Sequence, residues 1–309
     1  MKRLLSDSFI NDLLEGILKE LLSYVKKDNT LDIEIRKNYI NIYYRGGNAL
    51  KVTEIGVNRY DYHFDKEYLK EATFLSKDTI NAYKTKLDWI NYFPLVKQAM
   101  DFYFTKYGKE EREFQQLVVR ENNYSSVANS TDYFIIDIEY DNRKNARFDI
   151  VAVEWGSDTS KRKMMKGYKP KLVLIEMKYG DGAFNGVAGI SKHILDFNNF
   201  IANPKTVEEF KQEMLGVFSQ KRQLGLIPGL SDKKNSNEVT QFADEFEMMF
   251  LIANHDPAKS VLLTELSGNI NLEIKFITSN FMGYGLYKEN VFDYDQFIQR
   301  FKPQIYNAL

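Results

Sequence analysis

Apolar positions recur at helical spacing over residues 6–27, where Ile10, Leu13, Leu14, Ile17, Leu18, Leu21 and Leu22 share one face. This predicts one amphipathic helix, with Ser8 as candidate N-cap and Lys26 and Lys27 in the last turn, where cations suit the macrodipole. Over 31–57 the period falls to two, through Ile33, Ile35, Ile40, Ile42 and Tyr44, a Gly46-Gly47-Asn48 turn, and then Leu50, Val52 and Ile55. That alternation predicts a small antiparallel sheet of about three strands, whose tyrosines read as structural before they read as base-stacking. Residues 65–107 are helical again, with a break expected near Pro94, and Gly108 precedes a further helix over 109–119. A hairpin follows over 133–155, then a strand at 171–179, helices over 190–200 and 207–226, and a strand at 248–253. A helix near 257–267, strands at 271–279 and 284–288, and a last helix from Tyr294 complete the pattern. The expected division is a helix-plus-sheet module over 1–95 and a larger α/β (α+β) domain over 96–309.

Charged residues stand out against this pattern at one place. In Lys-Leu-Val-Leu-Ile-Glu-Met-Lys-Tyr-Gly-Asp-Gly, residues 171–182, the run Leu172 to Ile175 reads as a strand buried on both faces. Glu176 and Lys178 follow it and, at a period of two, project from the same face. Buried charges must pair or hold a metal to offset their lost hydration. A mutual salt bridge at a sheet edge is one reading. The hairpin offers another, because its second strand carries Asp149 inside the apolar run Phe148, Ile150, Val151, Ala152 and Val153. If those strands are neighbours, Asp149, Glu176 and Lys178 converge. Two carboxylates then offer hard oxygen ligands suited to Mg2+, with Mn2+ as the alternative ion, and the lysine can orient or deprotonate an attacking water.

Composition narrows the chemistry. The 309 residues contain no cysteine, which excludes disulfides, thiolate zinc sites, iron–sulfur clusters and cysteine nucleophiles. The three histidines, His63, His193 and His255, are far apart, so carboxylate chemistry gains weight. A net charge of −1 argues against coating nucleic acid over the whole surface, while a local basic groove stays open. No apolar run reaches the roughly 20 residues of a membrane span, and the N-terminus lacks a signal-peptide core, so a soluble cytoplasmic protein is expected.

An aspartate on a hairpin strand, Glu-x-Lys on the next strand (Glu176-Met177-Lys178) and a glycine-bearing turn into a helix resemble the PD-(D/E)XK, or restriction-endonuclease-like, nuclease superfamily. The resemblance covers roughly residues 108–254, over which an αβββαβ core with a mixed sheet can be laid. Phe148 stands where the family's proline would be, and a second copy of the short motif, Glu273-Ile274-Lys275, reads as a cross-strand pair. The resemblance implies a metal-dependent nuclease that hydrolyses phosphodiester bonds, of DNA in the first instance, with a homodimer permitted. In the implied roles, Asp149, Glu176 and the Met177 carbonyl hold the metal and Lys178 serves the water. Glu113, with Glu110 as its near rival, assists from the preceding helix; an acid-rich first turn is equally ordinary helix-dipole chemistry.

Five cations lie in 156–170, and Lys161, Arg162 and Lys163 among them are candidate phosphate contacts, against the alternative of a solvated hairpin tip. Lys192, early in the helix after the glycine turn, is a further phosphate candidate, while His193 reads as a surface residue. The glycines over 180–189 could instead cradle a nucleotide's phosphates, but they are spaced Gly-x-Gly-x-x-x-Gly, not as a dinucleotide-binding fingerprint, and Asp181 reads as a turn residue before it reads as a ligand. Three functions are therefore carried forward: a metal-dependent nuclease, a nucleic-acid-binding protein of nuclease-like fold without turnover, and, least favoured, a nucleotide-dependent enzyme using the glycine turn.

Overall fold

The computed structural model describes residues 3–125, 128–142, 147–156, 168–180, 189–227, 239–254, 274–279, 283 and 286–306. They form an α+β protein of two compact units, Met1–Arg120 with Gly216–Ser231, and Glu121–Leu215 with Asp232–Leu309.

The first unit opens with α1 (Asp7–Leu14) and α2 (Lys19–Lys27), two helices where the apolar periodicity predicts one. The break falls at Gly16, whose backbone lies so close to Asp12 that a Cβ there would sit 2.2 Å from its Oδ1. Ser6, not Ser8, is the N-cap, accepting the Phe9 N–H at 3.0 Å. The sheet is antiparallel with four strands in sequence order: β1 (Leu31–Ile35), β2 (Tyr39–Tyr44), β3 (Gly47–Gly56) and β4 (Arg59–His63). The fourth strand escaped the apolar pattern because Arg-Tyr-Asp-Tyr-His buries only Tyr60.

The β2–β3 turn is at Arg45 and Gly46, both left-handed with φ of 48° and 73°, the conformation that tight hairpins require. A Cβ on Gly46 would also meet the Arg112 carbonyl carbon at 2.3 Å. Here α5 (Glu110–Asn123) is fastened by Gln116, which accepts the Gly46 N–H at 2.7 Å and donates to the carbonyls of Thr30 and Tyr43. Between the sheet and α5 come a 3₁₀ turn (Lys66–Leu69), α3 (Lys77–Asn81) and α4 (Lys86–Lys106). The last of these runs through Pro94 without the predicted break. Proline costs a helix interior about 3 kcal/mol, but Trp89 and Phe93 before it, and Val96, Ala99 and Met100 after it, are all buried and anchor both halves.

The second unit holds a five-stranded mixed sheet in the order β5 (Tyr133–Asp141), β6 (Arg147–Glu154), β7 (Leu172–Tyr179), β8 (Phe246–Ala253) and β9 (Ile274–Ser279). The pairs β5–β6 and β6–β7 are antiparallel, while β7–β8 and β8–β9 are parallel. The return from β7 to the parallel β8 passes through α6 (Ile190–Ile201) and α7 (Pro204–Gln223). Phe148, Phe200, Phe210 and Phe246 tie strands to helices, with ring centroids 5.2 to 5.9 Å apart for Phe148–Phe200, Phe200–Phe210 and Phe200–Phe246. At the far edge Phe276 of β9 stacks on Phe297 of α8 (Tyr294–Tyr306). Lys288–Asn290 forms a 3₁₀ turn where part of a strand over 284–288 is predicted; the helix predicted near 257–267 lies outside the described residues. Among the described residues no helix is long and apolar enough to cross a membrane.

Candidate active site

The strand that carries Glu176 and Lys178 is the middle one of five, not a sheet edge, because β6 and β8 take its two sides. On the β6 side the register pairs Ile150 with Ile175 and Val151 with Leu174. One further step sets Asp149 opposite Glu176, and opposite residues of antiparallel strands share a face. Asp149, Glu176 and Lys178 are all buried, with 8%, 8% and 5% of their surfaces exposed. Beyond Ile150 the ladder ends, and there the Asp149 side chain takes over from the strand backbone: its Oδ2 accepts the Met177 N–H at 2.9 Å.

Glu176 gathers two nitrogen partners on one oxygen. Lys178 Nζ lies 3.0 Å from Oε1, and His193 Nε2, in the first turn of α6, lies 2.9 Å from the same atom. Oε2 takes no hydrogen bond among the described residues. Burial by itself pushes the Glu176 carboxyl up, but the His193 hydrogen bond and the Lys178 charge outweigh it and hold the group below the usual carboxylate range. The mutual ion pair that residue spacing alone suggests is thus present, and it is extended by a histidine that the linear pattern reads as a surface residue. That correction comes from the helix: α6 lies over the Glu176 face, and helical phase turns His193 inward while Lys192 stays exposed and pairs with Asp196. A small cavity beside the Glu176–His193 contact is lined by Arg147, Phe148, Leu174, Asp196, Phe197 and Met248.

A third acid shares this face. In β5 the pairing runs Ile135 with Ala152 but Asp137 with Val151, so Ile136 is the extra residue of a β-bulge. The bulge turns Asp137, which is 0% exposed, onto the side of Val151 and therefore of Asp149. Asn123 clamps the bulge, donating to the Ile135 carbonyl at 2.8 Å and accepting the Ile135 N–H at 2.9 Å. The signal in the sequence was the same as for Asp149, an acid in the apolar run Phe-Ile-Ile-Asp-Ile, but only the bulge decides which face it joins. Arg147 carried no such signal, since it opens the strand just after the polar stretch Asp141-Asn142-Arg143-Lys144-Asn145.

Glu113 belongs to the first unit, where Arg45 takes both its oxygens at 2.8 and 3.1 Å. Lys161, Arg162 and Lys163 lie outside the described residues, as do Asp181 and the interior of the glycine turn. In the second motif copy Glu273 is likewise outside them, while Lys275 stands opposite Met249 on β8, near Glu247.

The arrangement offers two buried carboxylates abreast on neighbouring strands, an amine fixed against one of them, and an arginine at the rim. Among the described residues no group of three or more His, Asp or Glu could hold a metal ion, so a cation here would depend on Asp149 and Glu176, with main-chain oxygen, water or substrate completing its shell. Their all-oxygen chemistry fits a hard divalent ion, a class that retains several waters. No protein-family model, curated protein or solved structure matches this chain.

Proposed function

We propose that the chain is a metal-dependent nuclease of restriction-endonuclease-like architecture, acting on DNA with Mg2+ as its ion. The observation that carries this reading is the meeting of Asp149 and Glu176 on adjacent strands with Lys178 3.0 Å from Glu176, all three buried. Three antiparallel strands, a helix and a parallel fourth strand beside β7 are consistent with the αβββαβ order that the resemblance implies. In this reading Asp149 and Glu176 bind the ion, and Lys178 holds the attacking water by hydrogen bonding. The water oxygen bonds to phosphorus and gives up a proton to solvent as one ester P–O bond breaks, and the departing oxygen takes a proton from solvent. Mg2+ when bound supplies Lewis-acid stabilisation of the phosphate charge and a more acidic water. Arg147, with Lys161, Arg162, Lys163 and Lys192, would hold the phosphate backbone.

A second reading, a nucleic-acid-binding protein without turnover, is favoured by one observation: Lys178 and His193 already answer the Glu176 charge without an ion. Incubating the protein with linear, circular and single-stranded DNA and with RNA, in Mg2+ and then in chelator, separates the two. Cleavage that needs the ion supports the nuclease, while salt-dependent binding with no cleavage under either condition leaves the binding protein.

A further inference from the structure

We propose that His193 is a positioning residue for Glu176, holding its carboxylate in the one orientation that receives the metal; the inference rests on the nuclease reading above. The two nitrogens that reach Glu176, Lys178 Nζ at 3.0 Å and His193 Nε2 at 2.9 Å, both meet Oε1, while Oε2 takes no hydrogen bond among the described residues. A glutamate side chain has free torsions at its end, and one donor on one oxygen leaves the carboxylate able to pivot about that contact. Two donors arriving from different elements, one from β7 itself and one from α6, remove that freedom and turn Oε2 away from both. Oε1 therefore anchors the acid to the helix while Oε2 stays available to a ligand.

The partners are not equivalent. Lys178 is two residues away on the same strand and moves with Glu176, whereas His193 ties the strand to a helix whose own place is fixed by buried Ile190, Phe197 and Phe200. His193 is thus the member of the pair that references the carboxylate to the rest of the second unit. Hydrogen-bonding partners behind a metal ligand typically change metal affinity by about 10- to 100-fold when removed. The sequence offers no hint of this role, because Ile-Ser-Lys-His-Ile reads as an ordinary first turn.

The test measures Mn2+ binding directly, by calorimetry and by loss of the free-ion paramagnetic resonance signal, on the full chain without nucleic acid. Wild type, His193→Ala and His193→Gln are compared, with thermal unfolding recorded for each in chelator. The expected result is at least tenfold weaker Mn2+ binding for His193→Ala, near-wild-type binding for His193→Gln, which keeps an N–H donor, and similar unfolding temperatures for the two variants. Unchanged or tighter Mn2+ binding in His193→Ala, with wild type binding normally, overturns the positioning role and leaves the nuclease reading standing. Equal weakening in both variants also overturns it, because the donor would then not be what matters. Failure of wild type to bind Mn2+ overturns both.

Discussion

Met177 donates its backbone N–H to the side chain of Asp149 at the point where β6 and β7 cease to pair, so one carboxylate both ends a ladder and faces a second acid. The bond makes a separable prediction. Asp149→Asn retains an oxygen acceptor and should fold almost as wild type, whereas Asp149→Ala leaves a buried N–H without its acceptor, a loss of about 1–3 kcal/mol. Both should lose Mg2+-dependent cleavage. Urea denaturation followed beside a cleavage assay checks the pair; equal stability of the two variants would remove the structural half of the role.

Glu176 should give the protein an acid-sensitive component of stability. Its folded carboxyl is held below its ordinary value, so the contribution is fully present above the unfolded pKa of about 4.3 and is lost as pH falls through the folded value. Glu176→Gln leaves Lys178 buried without its anion and should be destabilised near neutral pH by about 3–5 kcal/mol. The difference in melting temperature between wild type and Glu176→Gln should therefore shrink as the pH is taken below about 4. A difference that stays constant down to pH 3 would show that the charge is not what stabilises this contact.

Lys178 and Lys275 occupy the same place in two copies of one short motif, but only Lys178 is set against a buried acid on the Asp149 side. Lys178→Met, which keeps the packing volume, should lower Mg2+-dependent cleavage by at least about a hundredfold, while Lys275→Met should change it little. Comparable losses in two folded variants would mean that the chemistry lies elsewhere.

In the first unit Lys221 and Glu34 form an ion pair 2.9 Å long with both side chains 0% exposed, and Arg36 lies 3.7 Å from the other Glu34 oxygen. Removing one partner of such a pair strands a buried charge and costs about 3–5 kcal/mol. Lys221→Met and Glu34→Gln should each lower the denaturation midpoint strongly, and the double variant should lose less than the sum. Strict additivity would show that the two charges do not depend on each other.

Much of this protein was legible along the chain, for identifiable reasons. The apolar run Leu172 to Ile175 fixes a buried strand, and a period of two by itself puts Glu176 and Lys178 on one face. Asp149 could be singled out because an acid in an apolar run is poorly placed unless something claims it. The strands β5 to β8 and the helices α5, α6 and α7 follow from switches between a period of two and one of 3.6, while their mixed parallel and antiparallel pairing does not. Tertiary structure decided what depends on contacts remote in sequence. His193 reaches Glu176 because the packing of α6 sets its helical phase. Asp137 joins the acid face because a bulge clamped by Asn123 shifts the alternation by one residue, which no local pattern records. Residues 216–231 fall in the first unit, where Lys221 finds Glu34 across 187 positions of chain. Glu113 is drawn to Arg45 for the same reason: a charge pairs with whatever the fold brings near it, and sequence spacing fixes neighbours only within one strand or one helix.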